Sequence, residues 1–225
     1  MVFQRPLGDG WLALVGGGEF TFGETREADQ GWVEKLPPGP LGFIPVASGS
    51  TEYSDHFAIY MADELDREVK VVPIYRRRDA RRAKNVERIE AVSGVYLGGG
   101  VTDFILEAMR ETPAEEALRR KLAGGGLVVA IAATAQALGL AARSLMTRDS
   151  VDGLAWLPGG VVEPNFDPGF DRRLRELMDW PGVEWGLGLP AGSAVLLGPE
   201  GEVETIGMSF VLTDAEGDLE PINGS

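Results

Sequence analysis

Short apolar runs recur along the first two thirds of the chain: "WLALV" (11–15), "LGFIPV" (41–46), "VKVVPIY" (69–75), "GVYLGG" (94–99) and "GLVVAIA" (126–132). They lack the polar alternation of a strand that faces water on one side, and they are too short for buried helices. Amphipathic stretches lie between them, at about 52–66, 80–91, 102–110, 114–123 and 134–145. Strands that are apolar on both faces need a covering layer on each side, and helices between the strands supply it. The pattern therefore predicts an α/β protein, a three-layer α/β/α sandwich around a mostly parallel central sheet. After residue 150 the pattern changes to shorter pieces, "LAWLPGGVV" (154–162), "VEWGLGL" (183–189), "SAVLLG" (193–198) and "VETIGMSFVL" (203–212), with one charged helix at 167–180. The turn signal "PEGE" (199–202) predicts a hairpin, so this part should finish the sheet with antiparallel strands.

A length of 225 residues suits one domain, 1–225, whose polar tail, about 214–225, is expected to fray. The chain has no cysteine, which excludes disulfides, thiol catalysis and cysteine-ligated zinc and fits a cytoplasmic location. One histidine and dispersed carboxylates argue against a metal site, and no cofactor is expected. A net charge of −14 opposes binding to nucleic acid or to an anionic membrane surface. The most apolar stretch, 126–142, is too short for a membrane span, and the N-terminus lacks a secretory pattern.

In an open α/β sheet, ligands bind beyond the carboxyl ends of the strands. The loops there are "GGGEF" (16–20), "ASGSTE" (47–52), "RRRDARR" (76–82) and "GGGVTD" (98–103). The glycines permit close backbone approach, but neither triple glycine has the spacing of a phosphate loop or a dinucleotide fingerprint. The basic run Arg76, Arg77, Arg78, Arg81, Arg82 and Lys84 has two readings, a solvated helix start or an anion-binding or subunit-contact rim beside the crevice. Trp156, Trp180 and Trp185 are core residues or a dimer contact, and a homodimer is the expected assembly.

The junction Ala132-Ala133-Thr134-Ala135-Gln136-Ala137 keeps the small residues of a nucleophile elbow without its glycines or serine. Here the chain resembles peptidase family S51, the cyanophycinase and dipeptidase E group of the class I glutamine-amidotransferase-like superfamily. The matching segments, from "LVGGGEF" to "VEWGLGLPAGSAVLL", follow the family's order over roughly residues 11 to 198. The resemblance implies a serine nucleophile in an elbow like G-T-S-A-G-A, and aligning that motif puts Thr134 at the serine. It implies a histidine base in a D-x-H-F-like motif, matched by Glu163-Pro164-Asn165-Phe166, so Asn165 stands at the histidine. The acidic element matches "GLGLPAGSA", where Pro190 and Ala191 replace the acidic pair. The family's G-G-D or G-G-N loop becomes Gly99-Gly100-Val101.

Without a base a hydroxyl is a weak nucleophile, and asparagine supplies none. The leading expectation is a catalytically degenerate S51 homologue that binds a ligand or a partner, with a small molecule or peptide in the crevice near Thr134. Gly99, Gly100, Val101, Ala135, Glu19 and Ser48 are its expected contacts. One alternative is an active hydrolase in which Thr134 attacks with His56 or Glu19 as base. The other is an oligomeric scaffold whose crevice is vestigial.

Overall fold

The computed structural model describes residues 3, 8–48 and 51–223. Its main sheet has seven strands. Five are parallel neighbours: β3 (Val69–Val71), β2 (Leu41–Ile44), β4 (Gly94–Leu97), β5 (Leu127–Ile131) and β1 (Trp11–Val15), in that spatial order. β10 (Ala194–Leu197) joins β1 antiparallel, and β11 (Val203–Ile206) closes the edge through the hairpin at 198–202.

Strand alternation sorts the side chains onto two buried faces. Leu12, Leu14, Val95, Leu97, Val128 and Ala130 join one core, whereas Ala13, Val15, Tyr96, Leu127, Val129 and Ile131 join the other. The first core is covered by α3 (Arg77–Ala80), α4 (Ala83–Glu90), α5 (Thr102–Met109), α6 (Pro113–Ala123) and α7 (Ala133–Ala137). The second is covered by α1 (Arg26–Val33), which the sequence reading missed, and α2 (Thr51–Leu65). Phe43, Phe57 and Tyr96 meet there with ring centroids 4.4–5.8 Å apart. Such aromatic pairs add about 0.5–1.5 kcal/mol beyond their buried area. The buried Asp29 carboxylate ties α1 to α2, accepting from Thr25 Oγ1, Trp32 Nε1 and Tyr60 OH at 2.7–2.9 Å. This is the predicted three-layer α/β architecture.

Three expectations need correction. The second half does not only complete the main sheet. β8 (Gly160–Pro164), β9 (Trp185–Leu189), β12 (Met208–Leu212) and β13 (Glu220–Asn223) form a separate sheet in which β8 and β9 are parallel. That sheet is covered by α8 (Arg172–Met178), whose Leu174, Leu177 and Met178 share a third core with Val161, Phe166 and Leu212. Part of the expected fraying tail is thus strand, paired antiparallel with β12, and residues 224–225 lie outside the described residues. Second, the helix expected at 134–145 stops after five residues, and β6 (Ala141–Arg143) follows, paired with β7 (Ser150–Asp152). Third, the helix expected at 80–91 begins only at Ala83, because Arg82 before it is extended, and the short α3 precedes it. Among the described residues no helix is long and apolar enough to cross a membrane.

Candidate functional site

The loops beyond the carboxyl ends of the parallel strands are joined by backbone hydrogen bonds. Val101 N–H donates to Ala47 O (3.0 Å), linking the loops after β4 and β2. Ala132 N–H donates to Val15 O (2.9 Å) and Asn165 N–H to Gly16 O (2.7 Å), so the turns after β5 and β8 hang on consecutive carbonyls at the end of β1. Gly192 N–H donates to Gly17 O (2.9 Å), adding the turn after β9. Glycine is needed for this closeness. A Cβ on Gly16 would lie 2.1 Å from Pro190 O, and one on Gly100, at φ 147°, would lie 2.0 Å from Ala47 O.

The turn from β5 into α7 is strained at Ala132, with φ 52° and ψ −118°. An L-residue is rarely held there, and such conformations cost of order 1–3 kcal/mol unless the surroundings enforce them. The hydrogen bond to Val15 O and a second from Gln136 N–H to Ala132 O (3.0 Å) do so. Ala132 is also only half-buried, whereas 133–139 are buried throughout. A Cβ on Gly99 would lie 3.5 Å from Ala132 Cβ, so the loop after β4 faces this residue directly.

Thr134 sits elsewhere. Its side chain is fully buried, Oγ1 accepts from Ile131 N–H (2.8 Å), and its proton is shared between Leu97 O and Ile131 O, each 2.8 Å away. Every hydrogen-bonding direction of the hydroxyl is spent on backbone, which makes it a structural cap. Ala135 is likewise fully buried and cannot touch a ligand in the crevice. The correction has one physical reason: the strand ends at Ile131, so the strained residue is the next one, two positions before the threonine.

The remaining candidates divide. Gly99 and Val101 are half-buried and Gly100 is exposed at the crevice rim. Ser48 Oγ donates to Pro45 O (3.2 Å). Glu19 caps the short helix Phe20–Phe22, its Oε1 accepting from Thr21 N–H (3.4 Å) and Thr21 Oγ1 (3.1 Å). His56 is exposed on α2 and lines a separate cavity of about 490 Å³ with Arg26, Tyr60, Asp63 and Glu64. Ala191 is exposed in a turn closed by Ser193, whose N–H and Oγ both donate to Pro190 O (3.1 and 2.8 Å). Trp156 and Trp185 are core residues, which removes them from any dimer contact, and Trp180 is partly buried against the third core.

The family model for peptidase family S51 matches residues 12–203. The chain belongs to that family. Two solved structures share the fold. A peptidase from an acI-B1 Actinobacterium superposes with a TM-score of 0.76 at 21% identity, covering 98% of this chain and 96% of that one. A peptidase E-like protein from Listeria monocytogenes EGD-e gives 0.64 at 15%, covering 88% and 98%. A search of curated protein sequences finds no match.

Asn165, expected from its motif at the S51 histidine position, is exposed in the left-handed region, φ 48°, which asparagine tolerates better than most residues. It lines a cavity of about 390 Å³ together with Glu163, Phe166, Asp167, Phe170, Arg172 and Arg173. Glu163, which sequence reading quoted only as part of a motif, is the group here with a displaced titration. Burial pushes its carboxyl up, opposed by the Arg143 and Arg173 charges and by a hydrogen bond from Gln136 Nε2 (2.9 Å). Gln136 Oε1 in turn accepts from Thr102 Oγ1 (3.1 Å) and Arg143 N–H (3.2 Å), so α7, α5, β6 and β8 share one buried polar network. Among the described residues no group of three or more His, Cys, Asp or Glu side chains is placed to hold a metal ion.

Proposed function

We propose that this S51 member does not hydrolyse peptides and instead uses its crevice to bind a small molecule or peptide. The observation that carries the reading is the identity of the residue at the strained, partly exposed turn, Ala132. In nucleophile elbows of this kind the attacking side chain occupies the strained position. A methyl group cannot attack, and the hydroxyl two residues on, that of Thr134, is buried and committed to backbone. Asparagine at 165 and alanine at 191 support the same reading, because neither can take or orient a proton. The glycine loops and the cavity beside Asn165 support retained binding.

Turnover of dipeptides, isoaspartyl dipeptides and cyanophycin-like peptides is expected to match buffer alone, with Thr134→Val unchanged from wild type. Hydrolysis at an enzyme-like rate that Thr134→Val abolishes would overturn the proposal. A thermal-shift screen of small peptides and carboxylic acids should yield a compound that raises Tm, since a ligand selective for the folded state must do so. Ala132→Phe, which fills the crevice, should remove that shift.

A further inference from the structure

A different cavity, about 540 Å³, opens beyond β2 and β3, lined by Val46, Tyr75, Arg76, Arg77, Arg78, Asp79, Phe104, Glu107 and Ala108. It lies on the far side of the Ala47–Val101 link from Ala132 and shares no lining residue with the cavity at Asn165. In a protein of net charge −14, three consecutive guanidinium groups at one cleft are a local reversal of sign.

Among the described residues, carboxylate partners account for only one of the three, Arg78, which lies 3.8 Å from Asp79. Arg77 Nη1 donates to Arg110 O (2.6 Å) and, at 3.5 Å, to Glu107 O, so its charge is held in place by carbonyls and faces no carboxylate partner among the described residues. Arg76 is exposed, and among the described residues its side chain has neither a hydrogen bond nor an ion pair. The carboxylate of Asp79 is already engaged: it is buried, accepts from Tyr75 N–H (3.4 Å), and lies 3.4 Å from Arg82 and 3.8 Å from Arg78. The loop is braced from behind, with Asn85 Nδ2 donating to Pro73 O (3.2 Å) and Asp79 O (3.0 Å). The backbone that carries the three arginines, and the Arg77 guanidinium, are therefore fixed before any ligand arrives, which lowers part of the entropic cost of binding. The apolar surface of the lining comes from Phe104, which is 40% exposed, and the half-buried Tyr75 ring, with Val46 and Ala108 buried beneath.

We propose that this cleft is a second ligand site, specific for a small molecule that carries a carboxylate or phosphate on an apolar, ring-sized body. Arg76 and Arg78 hold the oxyanion, Arg77 supplies fixed positive charge, and Phe104 with the half-buried Tyr75 covers the body. Guanidinium forks suit both oxyanions, and the apolar lining selects against a bare inorganic ion. Glu107 at the rim opposes the anion and sets the sign of a diagnostic variant.

The test is calorimetric titration of the full chain with benzoate, phenyl phosphate, inorganic phosphate and, as a neutral control, benzyl alcohol. Benzoate or phenyl phosphate should bind saturably, more tightly than inorganic phosphate, with affinity falling as salt rises. Whichever binds tighter identifies the oxyanion. Arg76→Gln and Arg78→Gln should each weaken binding roughly tenfold, the loss expected for one charge-assisted hydrogen bond. Glu107→Gln should tighten it, a change that a purely structural role for these residues would not produce. All three positions are exposed, so the variants are expected to fold, and circular dichroism checks that they do. Absence of saturable binding by every anion, affinity untouched by the arginine variants, or equal binding of benzyl alcohol would each overturn the proposal.

Discussion

Ala132 is held at φ 52° by bonds that other residues make to it, so its strain is a measurable quantity. Ala→Gly ordinarily destabilises by roughly 0.5–1 kcal/mol, but glycine occupies this region freely. Ala132→Gly is therefore expected to raise stability by about 1 kcal/mol in urea unfolding. A loss of stability would mean that the turn is relaxed. Glu163 offers a test by pH. Its folded titration is raised by burial above the ordinary 4.5, so the folded state binds the proton more tightly than the unfolded chain. The associated stability is complete below 4.5 and is lost as pH rises through the folded value. Relative to Glu163→Gln, the wild type should gain stability as pH falls from neutral toward 4.5, read as the difference in urea midpoints. An unchanged difference would show that the carboxyl titrates normally. Neither residue stood out in the sequence as a site. Alanine gives no chemical signal, and Glu163 becomes notable only once burial is known.

At the scale of elements, local propensity and tertiary pairing compete, and α7 shows which wins. "ALGLAA" (137–142) favours helix, yet the chain turns at Gly139 and continues as a strand against Ser150–Asp152. Gly139 is part of the reason, because a Cβ there would lie 2.9 Å from Ala141 O and 3.2 Å from Gly160 O. Where local signals are complete they suffice. Thr112-Pro113-Ala114-Glu115 opens α6 with a cap, a proline in the first turn and an acidic residue near the helix's positive end. Thr112 Oγ1 accepts from Glu115 N–H (3.3 Å) and donates to Met109 O (2.7 Å). Thr112→Ala should cost about 1–2 kcal/mol, with Thr112→Ser recovering most of it, measured by thermal or urea unfolding. Equal losses in both variants would assign the effect to the methyl group instead.

For the whole molecule, the decisive feature is the way two sheets meet. The glycines after β1 run between the elbow turn, Asn165 and the Pro190–Ser193 turn, with Gly16 against the backbone of Leu189 and Pro190 and Gly17 against the Asn165 side chain. Gly16→Ala would drive a Cβ to 2.1 Å from Pro190 O, a neighbour that cannot rotate aside. A loss of about 3 kcal/mol is expected, with the change felt in both sheets because they share this joint. Gly23→Ala is the control for a generic glycine effect: unlike Gly16 it has a positive φ, 75°, so alanine is strained there, but a Cβ meets open space, and its loss should be the smaller. Similar losses in the two variants would deny the joint its role.

Taken by itself, the sequence determined the α/β class, the five parallel strands, the hairpin at 198–202 and the order of segments that resembles family S51. Each of these rests on residues close together in the chain, since strand and helix periods are local and a buried strand declares itself by composition. Only the tertiary structure decided which residue stands at the strained turn, that Thr134 faces inward, that β8 and β9 begin a second sheet, and that the arginine run borders a cleft. Those outcomes depend on partners far away in the chain, such as Val15 for Ala132, Leu97 for Thr134 and Arg110 for Arg77. A one-residue change of register redirects a strand's side chains to its other face, so similarity of motif fixes a neighbourhood and packing selects the position within it.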